Sequence, residues 1–383
     1  MKRSIILLLA GVFGIASGAA QSPRARDLGV PFTGRTGRLD AITDVAGVEV
    51  GQVTIIEGSG RLEVGKGPVR TGVTVVMPRG KADPEPVYAG WFSQNGNGEM
   101  TGTTWVEESG FLETPVAITN THSVGVVRDA IIAWSVKNKR MQQDWSLPVV
   151  AETWDGYLND INGFHVRPEH VFQALSAAAS GSVQEGAVGG GTGMVCYGFK
   201  GGIGTASRVL TAEEGGYTVG VLVQCNCGSR SQLQIAGVPV GREIPQGVPY
   251  SANVSSETRG DLGSIIIVVA TDAPLIPTQL KRIARRATMG LARTGSISGN
   301  GSGDIFIAFS TANSGANKEP GPNRVMTVSN ERISPLFTAT VEATEEAIVN
   351  ALVGAKTMTG IDDHTVIGLP HDQLQAVLRK YAR

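Results

Sequence analysis

Histidine, cysteine and any excess of one charge are what this chain has least of. It carries five histidines in 383 residues: His122, His165, His170, His364 and His371. His165 and His170 stand five apart with no cysteine or acidic cluster beside them, so no recognisable zinc set forms. A Ser-His-Asp hydrolase of the α/β type needs a Gly-x-Ser-x-Gly elbow. Around Ser302 the order is Asn300-Gly301-Ser302-Gly303-Asp304, which does not fit that spacing. A histidine triad and a metal centre are therefore poorly supported, and no metal or cofactor is expected.

Cys196, Cys225 and Cys227 are the only cysteines, too few for a disulfide framework. Cys225 and Cys227 lie two apart on an expected strand, about 6–7 Å along it, a poor start for a mutual disulfide. Buried free thiols are the expectation. Lys+Arg 33 against Asp+Glu 34 leaves no basic block, so composition gives no support for a nucleic-acid or anionic-membrane partner.

Long apolar runs are missing too, except at the start. Met1-Lys2-Arg3 is positive, residues 5–16 are apolar, and Ser17-Gly18-Ala19-Ala20 are small. That order reads as an export signal cut near Ala20; a bilayer-spanning helix wants about 20 apolar residues. The expected location is periplasmic or secreted, with no membrane attachment once residues 1–20 are gone. The roughly 360 residues left make one large domain or two ordinary ones.

Glycine is abundant, at 51 residues spread among apolar strands, which points to tight turns and close backbone approaches. Strands are expected at residues 73–78, 116–120, 147–152, 217–224, 264–270 and 305–309. The unbroken apolar runs at 217–224 and 264–270 are expected to be covered on both faces. Helices are expected at 124–134, 171–179 and 341–352, with another after the strand at 264–270. That last helix is capped in this reading by Thr271 or Asp272, with Pro274 in its first turn. Its buried face is Leu280, Ile283, Ala284, Ala287 and Leu291, and Lys281, Arg282, Arg285 and Arg286 form a solvated face. A layered α/β protein follows.

Two glycine-rich motifs fail on context. Residues 60–67 lack the Ser or Thr of a P-loop, having Gly67 followed by Pro68. Residues 186–193 have a helix before them and a strand-like Met194-Val195-Cys196 after, the reverse of a dinucleotide fingerprint.

A serine works without histidine if another base is near. The α-amine of an N-terminal Ser, with a pKa of about 7.7–8.0, suits neutral pH better than a lysine at about 10.4. Exposing it requires breaking the bond before it. Ser264 follows Gly263 at the end of a polar stretch, residues 250–262, and opens a buried strand. A cut there would disturb the core little, and glycine permits the strained backbone that brings the hydroxyl onto the preceding carbonyl.

Alone, a Gly-Ser pair is common. The weight comes from ordered blocks: Asn120-Thr121-His122-Ser123-Val124-Gly125, Glu152-Thr153-Trp154-Asp155-Gly156, Gly189-Gly190-Gly191-Thr192-Gly193-Met194, Val223-Gln224-Cys225-Asn226, the run opened by Gly263-Ser264, and Gly299-Asn300-Gly301-Ser302-Gly303-Asp304. From about Gly37 onward the chain resembles the DmpA-type L-aminopeptidase/D-esterase family, which includes the β-peptidyl aminopeptidases.

The resemblance implies a four-layered αββα sandwich, Ntn-hydrolase-like but of the DmpA and ornithine acetyltransferase type. It implies an α chain (21–263) and a β chain (264–383) separated at Gly263-Ser264, and a homo-oligomer of αβ units. Ser264 is the implied nucleophile, with Ser302 and Asp304 relaying protons and Asn226 donating to the oxyanion. Glu152 is implied to receive the free amine of a short peptide, aminoacyl amide or ester. Trp154 stands where some relatives carry a Tyr that helps the oxyanion, and His122 lines the pocket or is structural. Each residue also has a plainer reading: Asp304 capping a turn, Asn226 holding a loop, Glu152 pairing with an arginine. Two alternatives stay open, an exported non-catalytic binding protein of the same fold and an acyltransferase related to ornithine acetyltransferase.

Overall fold

Where the sequence runs apolar without a polar break, the chain forms strands covered on both sides. A computed structural model describes residues 23–249, 263–317 and 321–383. The signal segment, residues 1–20, and the polar stretch at 250–262 lie outside the described residues.

In chain order the two large sheets use β1 (Glu49–Glu57), β2 (Val69–Met77), β3 (Val87–Ser93), β4 (Phe111–Leu112) and β5 (Val116–Asn120). They continue with β6 (Val149–Thr153), β7 (Gly202–Val209), β8 (Thr218–Asn226), β9 (Ser264–Thr271) and β10 (Ile305–Ser310). One sheet has the order β1-β2-β5-β6, the other β4-β3-β10-β9-β8-β7. In the larger sheet β9 pairs antiparallel with β8 and parallel with β10. The main covering helices are α1 (Val124–Lys137), α2 (Pro168–Ala177), α3 (Pro277–Arg293) and α4 (Ser334–Gly354).

Side-chain alternation along the strands separates the layers. On β9, Ile265, Ile267 and Val269 join the core under α3 and α4, while Ile266, Val268 and Ala270 join the core between the sheets. On β5, Val116 and Ile118 face the inter-sheet core, and Ala117 packs with Val127 and Ile131 of α1 and Ala174 and Leu175 of α2. The order of layers is helix, sheet, sheet, helix, as expected. Each fully buried Ile or Val adds about 1.5–3 kcal/mol, so the continuous apolar runs secure this stacking. Close approach also needs glycine: a Cβ on Gly204 of β7 would lie 1.9 Å from the Ala347 carbonyl of α4.

Two expectations need correction. Helix α3 starts at Pro277, not behind Pro274. Thr271 is still paired in the sheet with Ser310, and the Asp272 carboxylate accepts the Thr218 N–H at 2.7 Å, so neither caps the helix. Gln279 does that work, its Oε1 accepting the Ile276 N–H at 3.2 Å. The apolar face expected for α3 is buried throughout.

The basic side chains of α3 lie on a solvated face, as expected, and have partners there. Lys281 pairs with Glu107 at 2.6 Å, Arg282 donates to Asn330 at 2.7 Å, and the Arg286 guanidinium lies 3.9 Å over the Phe337 ring.

The cysteines are not three free thiols. Cys196 is joined to Cys225 with Cα atoms 5.7 Å apart, and Cys227 is buried beside them. The hairpin Val195–Cys196 with Phe199–Lys200 folds back along the end of β8, where the Tyr197 N–H donates to the Cys227 carbonyl at 2.7 Å. Cys225 and Cys227 are in contact at sulfur, 3.8 Å apart, but form no disulfide with each other, in keeping with their strand spacing.

Candidate active site

Ser264 is the first residue of β9 and lies directly opposite Asn226, the last residue of β8. Alternation puts both on the inter-sheet side, in line with Ile266 and Leu222. Gly263 is held so close to β8 that a Cβ there would lie 2.0 Å from the Asn226 carbonyl oxygen. No other residue fits at that point, whatever the chemistry.

The Ser264 hydroxyl oxygen accepts the Gly303 N–H at 3.0 Å. Next along the chain, Asp304 Oδ1 accepts two donors, the Ser302 hydroxyl at 2.7 Å and the Ile265 N–H at 3.1 Å. Ser302 and Asp304 are fully buried and Ser264 is 7 % exposed. Asp304 is therefore not a turn cap: it binds β9 to the start of β10 and orients Ser302. Asn226 Oδ1 accepts the Val195 N–H at 2.7 Å. Because that partner is a donor, the remaining amide atom of Asn226 is its NH2 group. Among the described residues no histidine is hydrogen-bonded to Ser264.

The loop between β3 and residue 102 holds this arrangement from the other side. Asn95 Oδ1 accepts the Asp304 N–H at 2.7 Å, while its NH2 group donates to the carbonyls of Ser298 and Gly299. Asn97 donates through its backbone to Ser302 and through its side chain to Gly301. A Cβ on Gly98 would lie 3.0 Å from Gly303 Cα and 3.3 Å from Glu152 Oε1, so this loop links the serine to the carboxylate of the smaller sheet. Asn95 and Asn97 were not among the residues picked from the sequence. The signal was the Asn95-Gly96-Asn97-Gly98 spacing, which mirrors Asn300-Gly301-Ser302-Gly303.

Glu152, near the end of β6, is buried, and among the described residues it pairs with no arginine. Its Oε1 accepts the Glu99 N–H at 3.0 Å and its Oε2 accepts the Thr121 hydroxyl in a short hydrogen bond. Burial raises its pKa above the ordinary glutamate range, and these two donors counter the rise. An acceptor-only group in such surroundings suits a cationic partner.

His122 is exposed and stacks on Phe164, with ring centroids 6.0 Å apart. Trp154 is 43 % exposed, and its indole lies against Gly156, where a Cβ would be 2.7 Å from Nε1. The sequence-picked residues thus form two groups. Ser264, Asn226, Ser302 and Asp304 share one buried cluster, and Glu152 adjoins it through Gly98. His122 and Trp154 stand exposed beside Glu152's strand.

Residues 40–366 match the model of Peptidase family S58. A β-peptidyl aminopeptidase, BapA, of Sphingosinicella microcystinivorans is 55 % identical, over 98 % of this chain and 97 % of that protein. The L-aminopeptidase D-Ala-esterase/amidase of Ochrobactrum anthropi, a prototype of the serine aminopeptidases with a variant of the Ntn-hydrolase fold, superposes with a TM-score of 0.87. It is 50 % identical, over 94 % of this chain and 99 % of that one. A β-aminopeptidase of Burkholderia sp. gives a TM-score of 0.85 at 49 % identity, over 94 % of this chain and 99 % of that one.

Proposed function

The chain belongs to peptidase family S58 and is a hydrolase of the aminopeptidase kind, and from that premise we propose that it cuts itself once, between Gly263 and Ser264, and then works through the new N-terminal serine. In the first reaction the Ser264 hydroxyl adds to the Gly263 carbonyl carbon and the Gly263–Ser264 C–N bond breaks. The acyl group then sits on oxygen as an ester, and the former amide nitrogen becomes a free amine. Water hydrolyses the ester and leaves Gly263 with a carboxylate.

The matured site repeats this chemistry on a substrate. The Ser264 α-amine takes the hydroxyl proton as the oxygen attacks the carbonyl of the substrate's first residue. The proton passes to the departing amine, and water releases the first residue from the ester. Ser302 and Asp304 hold the hydroxyl and amine and carry the proton. The Asn226 NH2 group donates to the oxyanion, a contribution of about 2.7–4 kcal/mol in comparable sites. Glu152 binds the substrate ammonium, which restricts the enzyme to unblocked N-termini.

Substrates in this reading are short peptides, aminoacyl amides and esters. N-terminal β-residues are included because the 55 % identical relative carries the β-peptidyl name. The reading also includes export after loss of residues 1–20 and assembly of several αβ units.

One observation carries the proposal. A buried serine hydroxyl, preceded by a glycine with no room for a Cβ, shares its cluster with a carboxylate and no imidazole. Purified protein is expected to give two bands on a denaturing gel, the smaller beginning at Ser264 by N-terminal sequencing. Ser264→Ala is expected to stay one chain and to lose hydrolysis of a small aminoacyl anilide. Scission at Gly263 in that variant would show that another group makes the cut.

A further inference from the structure

Lys200 has no part in the mechanism above, yet it is wholly buried. Its Nζ donates to the carbonyls of Met194 at 2.7 Å and Gly201 at 2.9 Å, with Gly191 at 3.5 Å. An ammonium has three donors, and here each has a backbone carbonyl to face. Burying a cation this way is costly, and burial lowers the Lys200 pKa to about 7, with the nearby Asp155 opposing the fall. So costly a group calls for a reason beyond filling the space.

The reason lies one peptide away. The Met194 carbonyl and the Val195 N–H belong to the same peptide group. Lys200 holds the carbonyl end at 2.7 Å, and the N–H end donates to Asn226 Oδ1, also at 2.7 Å. Ammonium, peptide and carboxamide thus form one chain of hydrogen bonds with their dipoles aligned head to tail. Such chains polarise cooperatively at low dielectric. A cation on the carbonyl makes the N–H a stronger donor. That N–H draws electron density toward Asn226 Oδ1, which makes the Asn226 NH2 a stronger donor in turn.

We propose that Lys200 is a positioning residue for acyl transfer, fixing and polarising the Asn226 side chain through the Met194–Val195 peptide. The inference rests on the reading of Asn226 as the oxyanion donor. A purely structural lysine is the competing account, and the Cys196–Cys225 disulfide bears on it. That bond ties together the residues next to Val195 and Asn226, so the turn has a covalent anchor independent of the ammonium.

A double-mutant cycle separates the accounts, with kcat and KM measured on a small aminoacyl anilide and normalised to the amount of N-terminal Ser264. Asn226→Ala is expected to lower kcat by about 10²–10³-fold. Lys200→Met is expected to lower kcat roughly tenfold with KM within about twofold, and to cost less than about twofold in the Asn226→Ala background. Lys200→Gln, a shorter neutral donor, is expected to fall between Met and Lys. Where a variant matures too slowly to assay, the rate at which the Gly263–Ser264 cut does appear is the readout, since it passes through the same kind of oxyanion.

If Asn226→Ala leaves kcat unchanged, the reading of Asn226 fails and the role of Lys200 goes with it. If Asn226→Ala has its effect but Lys200→Met costs the same factor in both backgrounds, only the Lys200 inference is overturned. Should Lys200→Met not fold, Lys200→Gln takes its place in the cycle. In the unsubstituted protein the Val195 amide is expected to exchange hydrogen as slowly as the core of β8 and β9. Exchange there at the rate of a surface loop breaks the proposed chain of bonds.

Discussion

In the proposed mechanism the two sheets meet the substrate in different ways. The larger sheet contributes Ser264, Asn226, Ser302 and Asp304, all buried and linked mostly through backbone N–H groups of neighbouring strand ends. The smaller sheet contributes Glu152, a single buried carboxylate on two donors, with exposed aromatic residues beside it. Reacting atoms are set by backbone register, which a substitution at the surface cannot shift. In that mechanism recognition of the amine rests on one charge and a rim of side chains that can vary. Changes in the first region should abolish turnover, and changes in the second should alter which substrates are held.

Asp304→Asn tests the first region most sharply. Asn keeps an oxygen to accept the Ser302 hydroxyl and the Ile265 N–H, but removes the charge that receives a proton. A loss of about 10²–10⁴-fold in kcat is expected, with the Gly263–Ser264 cut slowed as well. The measurement is single-turnover hydrolysis beside the rate of appearance of the smaller band. Turnover within threefold of the unsubstituted enzyme would mean that Asp304 only braces β9 against β10.

Glu152→Gln is expected to act on binding. A charge-assisted hydrogen bond is worth about 1.5–3 kcal/mol, so kcat/KM for free-amine substrates should fall roughly 10–100-fold, mostly through KM. The acid limb supplies a second sign. Burial raises the Glu152 pKa, so the carboxylate takes up a proton at a higher pH than an exposed glutamate would. As pH falls through that raised value the attraction for the ammonium is lost and KM rises. The Gln variant should show no such limb. A limb of equal steepness in both proteins assigns the titration to another group.

The layered fold was legible because periodicity and apolar run length report burial directly. Ile265 to Val269 could hardly be anything but a covered strand. The start of α3 was not legible, since Pro274 and Pro277 satisfy the same local rule. Only tertiary contacts remove the candidate caps: Thr271 pairs with Ser310, and the Asp272 carboxylate accepts the Thr218 N–H. The disulfide escaped for a related reason: Cys196 and Cys225 are 29 residues apart, and the hairpin that brings them together has no sequence signature. In the site, residues whose side chains are proposed to do the chemistry carried family motifs. The groups that aim them are largely backbone, the N–H of Gly303, Val195 and Glu99. A peptide N–H has no residue type to read.

The weakest expected effect lies at the rim. Phe164 is 57 % exposed, stacks on His122, and has a φ of 51° in the left-handed region. Alanine at that position inherits the same backbone cost, so Phe164→Ala should change stability little while removing the ring. An aromatic contact is worth about 0.5–1.5 kcal/mol. KM for substrates whose first residue has a large apolar side chain is therefore expected to rise about two- to twelvefold. Substrates beginning with a small residue should be unaffected, because they do not reach the ring. The check is a series of anilides differing only in that first side chain. If every member weakens equally, Phe164 acts on the Glu152 region as a whole, and the division between a fixed reacting centre and a variable rim must be drawn further out.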